Sequence, residues 1–336
     1  MALTSLGDMA RHFIGLRDIT ASRNALVRLN SEVVSGRTTD AVRHLDGRAD
    51  RLFALNHKIA TLGAEQKAAA ALGHRLQSAR EVTTTIEATR ADLSQTLLSL
   101  PMSVTPKGIS RVSAEAEGAL QGMISALSTR QGPDYIFSGA KSDAAPFAPV
   151  ADIVTQLRTL AAGAQSADEV RQLMQQAFTA PGGLFETDFY QGATGAEERR
   201  DLGQGVQVGL GPRADDPAFR SLMASYATAM IVADEGFAIS DTAKAEALHN
   251  LGADLVAVAE PLSVATAHLG GYELLAEQIS AARGAGVTAA VMQRQDLVGV
   301  DQAASISALD QMQAQLEIQY TVTARLSGMS LAGYLR

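Results

Sequence analysis

Six histidines, the usual first place to look for proton transfer or a zinc site, are scattered at His12, His44, His57, His74, His249 and His268. None falls in a His-Glu-x-x-His pattern, and none has neighbours that would give one ion three or four ligands. A lone histidine on a helix surface is the plainer account of each. The stretch Gly203-Gln204-Gly205-Val206-Gln207-Val208-Gly209 has the glycines of a phosphate-cradling loop. It lacks the Lys-Ser/Thr of such a loop and the spacing of a dinucleotide fingerprint, so turn glycines flanking a strand explain it better. Ser138-Gly139 and Ser327-Gly328 lie in no nucleophile elbow. Asp215-Asp216 is a pair of adjacent carboxylates, but Pro217 directly after them makes a helix cap the economical reading. With no cysteine, thiolate ligands, Cys nucleophiles and disulfides are excluded together. The sequence therefore predicts no catalytic residue, no metal site and no cofactor.

What the sequence holds in quantity is helix-forming material. Of its 336 residues 46% are apolar, yet only 4% are aromatic and none is Trp. Ala, Leu and Val fill helix seams better than they line a deep ligand pocket. No run of about 18 apolar residues predicts a membrane span. The first 17 residues carry Asp8, Arg11 and Arg17 and lack the apolar run of a signal-peptide core, so Sec-type secretion is not expected. Net charge is −8 and uneven: residues 1–90 hold 13 Lys+Arg against 9 Asp+Glu. Those arginines are spread singly with acids between them, which predicts a solvated or subunit-facing surface and no nucleic-acid patch.

Apolar positions at three-and-four spacing predict a helix from Leu45 to Leu100, ended by Pro101 and Pro106. A shorter amphipathic helix through Phe13, Leu16, Leu26, Leu29 and Val33 precedes it and stops at Ser35-Gly36, with Gly36 as C-cap. A third carries Ile109, Val112, Ala116, Leu120, Met123 and Leu127 and ends at Gly132-Pro133. From Pro133 to Pro217 glycine and proline become frequent. Short helices are expected there at Ile153–Leu160 and Val170–Ala177, and strands at Phe185–Tyr190 and Val206–Leu210. Asp216-Pro217 opens a helix through Phe219, Leu222, Tyr226 and Met230, and another follows through Leu248, Leu251 and Leu255 to Pro261. Beyond it, Leu262 to about Leu326 contains no proline, so one very long helix is expected, with Gly284 and Gly286 the places for it to bend or break.

The expected fold class is mainly α: a long antiparallel bundle or coiled coil of the N- and C-terminal segments, with a small mixed α/β insert. The expected parts are a terminal coiled-coil domain (1–40 and 300–336), a helical rod domain (41–134 and 215–299) and an outer insert (135–214). Two seams of similar reach bury each other by lying side by side, which puts the termini together. The apolar character persists to the last residues, and seams this long leave faces that one chain cannot cover. Phe13, Leu16, Leu26, Leu29, Val33, Leu309, Met312, Leu316, Leu326, Leu331 and Leu335 are the expected subunit-interface residues.

Some of these segments resemble a known family. Leu29-Asn30-Ser31-Glu32-Val33-Val34-Ser35-Gly36-Arg37 is similar to the N-terminal signature of the flagellins, and Tyr320 to Leu335 to their C-terminal helix. Tyr135 to Phe147 resembles the F-x-G-x-x-x-D-x-x-P-F segment of the hook-associated branch, and Gly211 to Leu222 that branch's re-entry into the helical domain. The chain departs from the family after Arg37, with Thr38-Thr39-Asp40 where an Asp-Asp-Pro turn is usual. The resemblance implies a non-enzymatic axial subunit at the junction of hook and filament, outside the cell and exported without a cleaved signal peptide. It implies as partners copies of itself, a neighbouring hook-associated protein and flagellin, the flagellar export apparatus and an export chaperone, with no nucleic acid and no membrane. A filament-building flagellin and a cytoplasmic helical rod are the alternatives that the residues leave open.

Overall fold

The computed structural model describes residues 2–101 and 105–334, with side chains described for residues 10, 13–101 and 105–325. In chain order the elements are α1 (Ala2–Ser35), α2 (Ala41–His44), α3 (Asp50–Leu98), α4 (Pro106–Leu127), β1 (Arg130–Gln131), β2 (Asp134–Tyr135), α5 (Val150–Ala161) and α6 (Ala167–Thr179). They continue with β3 (Arg199–Asp201), β4 (Gln207–Gly209), α7 (Pro217–Val232), α8 (Asp241–Ala257), α9 (Ala259–Val298) and α10 (Gln302–Tyr334). The fold is mainly α, with long helices packed on one another and two small antiparallel sheets among the described residues. The backbone divides into two compact units, Met1–Ala64 with Arg283–Arg336, and Glu65–Ala282.

The second unit contains a dense core. α4 starts where Thr105 Oγ1 accepts from Gly108 N and Pro106 takes the first turn, where its missing N–H costs nothing. The face with Ile109, Val112, Ala116, Leu120, Met123 and Leu127 is buried as the spacing predicted. At α7 the Asp216 carboxylate accepts from Ala218 N at 2.9 Å, ahead of Pro217. α7 is buried along most of its length, with Phe219, Leu222, Tyr226 and Met230 buried, and α4, α5, α6 and α8 pack against it. A helix with so much apolar surface and so many neighbours belongs at the centre. Residues 135–214 share one continuous core with the helices around them.

One of the two strands expected in this unit needs correction. Phe185–Tyr190 is no strand: 185–189 forms a single π-helical turn, and only Tyr190 makes an isolated bridge, to Phe147. The reason is aromatic packing. The wide turn lets Phe185 stack on Tyr190 at 5.5 Å while Phe189 lies 5.7 Å from Phe178. Gln207–Gly209 is a strand, paired with Arg199–Asp201 so that Arg200 faces Val208.

In the first unit, α1 ends as expected: Gly36 adopts φ +64 and its N–H reaches Glu32 O at 2.8 Å. The small helix α2 follows, capped by Asp40 Oδ1 accepting from Arg43 N at 3.0 Å. The expected single helix from Leu262 to Leu326 is two. α9 runs unbroken through Gly284 and Gly286 and stops at Val298, and α10 begins after Asp301, whose carboxylate accepts from Ala303 N at 2.9 Å. Gly286 serves contact: a Cβ there would lie 3.0 Å from Leu62 Cδ1.

Candidate assembly interface

α1 and α10 form a helix pair. On α1 the inward positions recur at Ile19, Ser22, Leu26, Leu29 and Val33, with Ile19 and Ser22 buried and the other three half-buried. On α10 Ser305 is buried and Leu309, Met312 and Leu316 are half-buried. Those spacings of three and four place each set on one helix face. Of the expected interface residues, Leu26, Leu29, Val33, Leu309, Met312 and Leu316 thus lie on the faces by which the chain's own ends meet. Phe13 (67% exposed) and Leu16 (45%) do not. The side chains of Leu326 and Leu331 fall outside the described set, and Leu335 lies outside the described residues.

Phe13 and Leu16 belong to a second stripe that the sequence reading missed. Phe13, Leu16, Thr20, Val27 and Val34 are spaced by 3, 4, 7 and 7 residues, so they run along one flank of α1. Val27 is 68% and Val34 80% exposed. α10 likewise exposes Ile306, Ile318, Tyr320 and Val322. The signal for the second stripe was present in the heptad interval from Thr20 to Val27 to Val34. It was hidden because both stripes were read as one seam.

Where the pair begins, the two chain segments break at the same level and bond to one another. Thr38 N donates to Val298 O at 2.9 Å and Val300 N to Gly36 O at 3.2 Å, a short antiparallel bridge between Arg37 and Gly299. Gln295 holds both sides, accepting from Arg37 Nε at 2.9 Å and donating to Gly36 O at 3.2 Å. Thr39 donates to Glu32 Oε1 from its N–H and its hydroxyl, at 3.1 and 2.9 Å. The departure at Thr38-Thr39-Asp40 therefore has a structural role of its own.

The motif segments in the second unit are also built into the packing. Phe137 is fully buried edge-on to Phe219, and its carbonyl accepts from Ala214 N at 2.9 Å. Gly139 has φ +64, and a Cβ there would press on Arg213 Cδ at 2.7 Å. Arg213 donates to both carboxylate oxygens of Asp215 at 2.8 Å and to the carbonyls of Gly195 and Ala196. Burial pushes the Tyr190 phenol up to about 12, and its hydroxyl donates to Ala193 O at 2.8 Å. Burial also raises the Asp216 carboxyl, which caps α7. Both of these shifted groups have structural partners.

Among the described residues no three His, Cys, Asp or Glu side chains are placed to hold a metal, and no helix is long and apolar enough to cross a membrane. His44, His57, His74, His249 and His268 all lie on exposed helix surface; the His12 side chain is outside the described set. A cleft of about 370 Å³ between α6, α7 and α8 is lined by Ser221, Ser225, Thr228 and the Arg171–Asp254 ion pair.

No family model matches this chain, and no curated protein matches it. Among solved structures, a candidate flagellar hook-associated protein from Vibrio parahaemolyticus aligns over 73% of this chain and 95% of that one, with 13% identity and a TM-score of 0.49. A likeness at that level decides nothing about function.

Proposed function

We propose that the chain is an axial structural subunit of the bacterial flagellum, acting at the junction between hook and filament. The observation that carries this reading is the pair of terminal helices with apolar stripes left over after they have covered each other. Phe13, Leu16, Val27 and Val34 on α1, and Ile306, Ile318 and Val322 on α10, are expensive to leave in water and gain from a neighbouring copy. The motif order along the chain, Leu29–Arg37, Tyr135–Phe147, Gly211–Leu222 and Tyr320–Leu335, supports the flagellar assignment and its hook-associated branch.

On this reading the terminal helices pack with those of neighbouring copies, and the flanking partners are another hook-associated protein and flagellin. The subunit leaves the cell through the flagellar export apparatus with an export chaperone, and it has no enzymatic activity and needs no cofactor. The test is growth on purified hooks. The junction role predicts that the protein adds to hook ends and stops after a short ring, detectable by immunogold labelling at the hook–filament boundary. Unlimited polymerisation would make it a filament subunit, and failure to join hooks or filaments would remove the flagellar reading.

A further inference from the structure

The second unit has two outward helix faces that its own core does not use, and they differ in shape and charge. On α9 the positions Val264, Ala267, Gly271, Leu274, Gln278 and Ala282 are all exposed and spaced by 3, 4, 3, 4 and 4, so they form one seam. Val264 (49% exposed) and Leu274 (55%) stand out from it, with Leu275 beside them. No charge falls on the seam, and those flanking it are acidic. From Lys244 to Arg283 the chain carries Glu246, Asp254, Glu260, Glu273 and Glu277 and no intervening Lys or Arg. Asp254 pairs with Arg171 and Glu273 with Arg80, which leaves the exposed Glu260 and Glu277 to set the sign of this face.

α4 presents the opposite. Its outward positions are Lys107, Arg111, Ala114, Gly118, Gly122 and Ser125, all exposed, at intervals of 4, 3, 4, 4 and 3. Its acids are engaged elsewhere, Glu115 accepting from Thr96 and Glu117 paired with Arg158. Gly118 and Gly122 sit in the middle of a helix, where glycine is disfavoured, yet a Cβ at either would meet nothing within 4 Å. The chain's own packing gives no reason for them. Removing side chains there makes a smooth basic surface that knobs such as Val264 and Leu274 can approach closely.

We infer that the α9 seam docks the α4 face of a second copy of this chain, acid-flanked knobs against a basic, glycine-smoothed helix. This deepens the assembly reading above and rests on it. A face that meets a different face makes a heterologous contact, which continues from copy to copy until a ring or helix closes. The two seams match in reach, since Lys107–Ser125 and Val264–Ala282 each span 18 residue steps, roughly 27 Å of helix.

The absence of cysteine makes the test direct. Full-length Gln121→Cys is mixed with Ala267→Cys or with Gln278→Cys, which cover either helix direction, on purified hooks and at high concentration, under mild oxidation. All three positions are exposed, so folding is preserved. The expected result is a mixed-variant disulfide dimer at least about fivefold above either variant alone. Lys107→Glu with Arg111→Glu in the first variant should lower it about tenfold, and Glu260→Lys with Glu277→Lys in the second should restore it. Dimers of like with like in excess would overturn the proposal. Addition to hook ends without the mixed cross-link would overturn it while the flagellar reading stands. The cross-link without any binding to hooks would keep this surface and remove the flagellar reading, and the absence of both would remove both.

Discussion

The two compact units use apolar residues in opposite ways. Glu65–Ala282 closes its core: Phe137, Phe178, Phe185, Phe189, Phe219 and Tyr226 are almost wholly buried around α7. The other unit, Met1–Ala64 with Arg283–Arg336, buries single rows such as Ile19, Leu55, Leu62, Ala290 and Val298 and leaves Phe13, Val27, Val34 and Phe53 largely in solvent. Stability scales with the apolar surface removed from water, so Glu65–Ala282 is the part that stands alone and, on the proposed reading, Met1–Ala64 with Arg283–Arg336 is the part that association completes. Apolar content alone would not have separated them. What separates them is how far the chain's own packing covers those residues.

The contrast can be broken most sharply in the core. Phe219→Ala deletes a fully buried ring packed edge-on against Phe137, and a loss of about 3–5 kcal/mol in cooperative unfolding, read by denaturant titration, is expected. If α7 were a loosely held helix, the loss would be a fraction of that.

A second test uses alkaline pH. The folded Tyr190 phenol lies above the ordinary tyrosine value, at about 12, so its contribution is complete below about pH 10 and is lost as pH rises through 12. Stability should fall by roughly 2–3 kcal/mol over that window, and Tyr190→Phe should flatten part of the fall. The buried Tyr226, raised in the same direction, accounts for slope that remains.

At the bridge between the chain ends, Gly36→Val forces a β-branched residue to φ +64. The expected cost is about 1–2 kcal/mol, confined to the first unit and visible as faster hydrogen exchange at Thr38 and Val300, with the unfolding of Glu65–Ala282 unchanged. The smallest effect on monomer stability is expected from Val27→Ser with Val34→Ser, below about 0.5 kcal/mol in thermal unfolding. The same pair should abolish or strongly weaken addition to hooks, measured by sedimentation. A large thermal shift without an assembly defect would place those valines inside the monomer's own packing.

Most helices were legible because their seams and punctuation agree. Asp216-Pro217, Ile109 to Leu127, and Gly36 after Ser35 each behave as their residue types dictate. Residues 185–190 were misread because Phe and Tyr favour strands in general, while here ring packing across Phe178, Phe147 and Tyr190 decides the backbone. The break between α9 and α10 was sought at Gly284 and Gly286, but an isolated glycine marks close contact as readily as a bend. The actual break depends on pairing with Gly36 and Thr38, more than 250 positions away in sequence, which no local pattern announces. The expected interface residues were chosen by periodicity, yet one spacing rule served two stripes on α1, and only burial tells the inward from the outward.

The shared break beside Gly36 and Gly299 also bears on mechanics. Two uninterrupted helices side by side would spread any bending along their whole length. Here both are cut at one level, and what joins the segments there is two backbone hydrogen bonds, the Gln295 and Gln302 side chains, the Thr39–Glu32 hydrogen bonds and the chain itself. Compliance is thereby concentrated in a few residues, so α1 and α10 can tilt together as a pair while their seam stays closed.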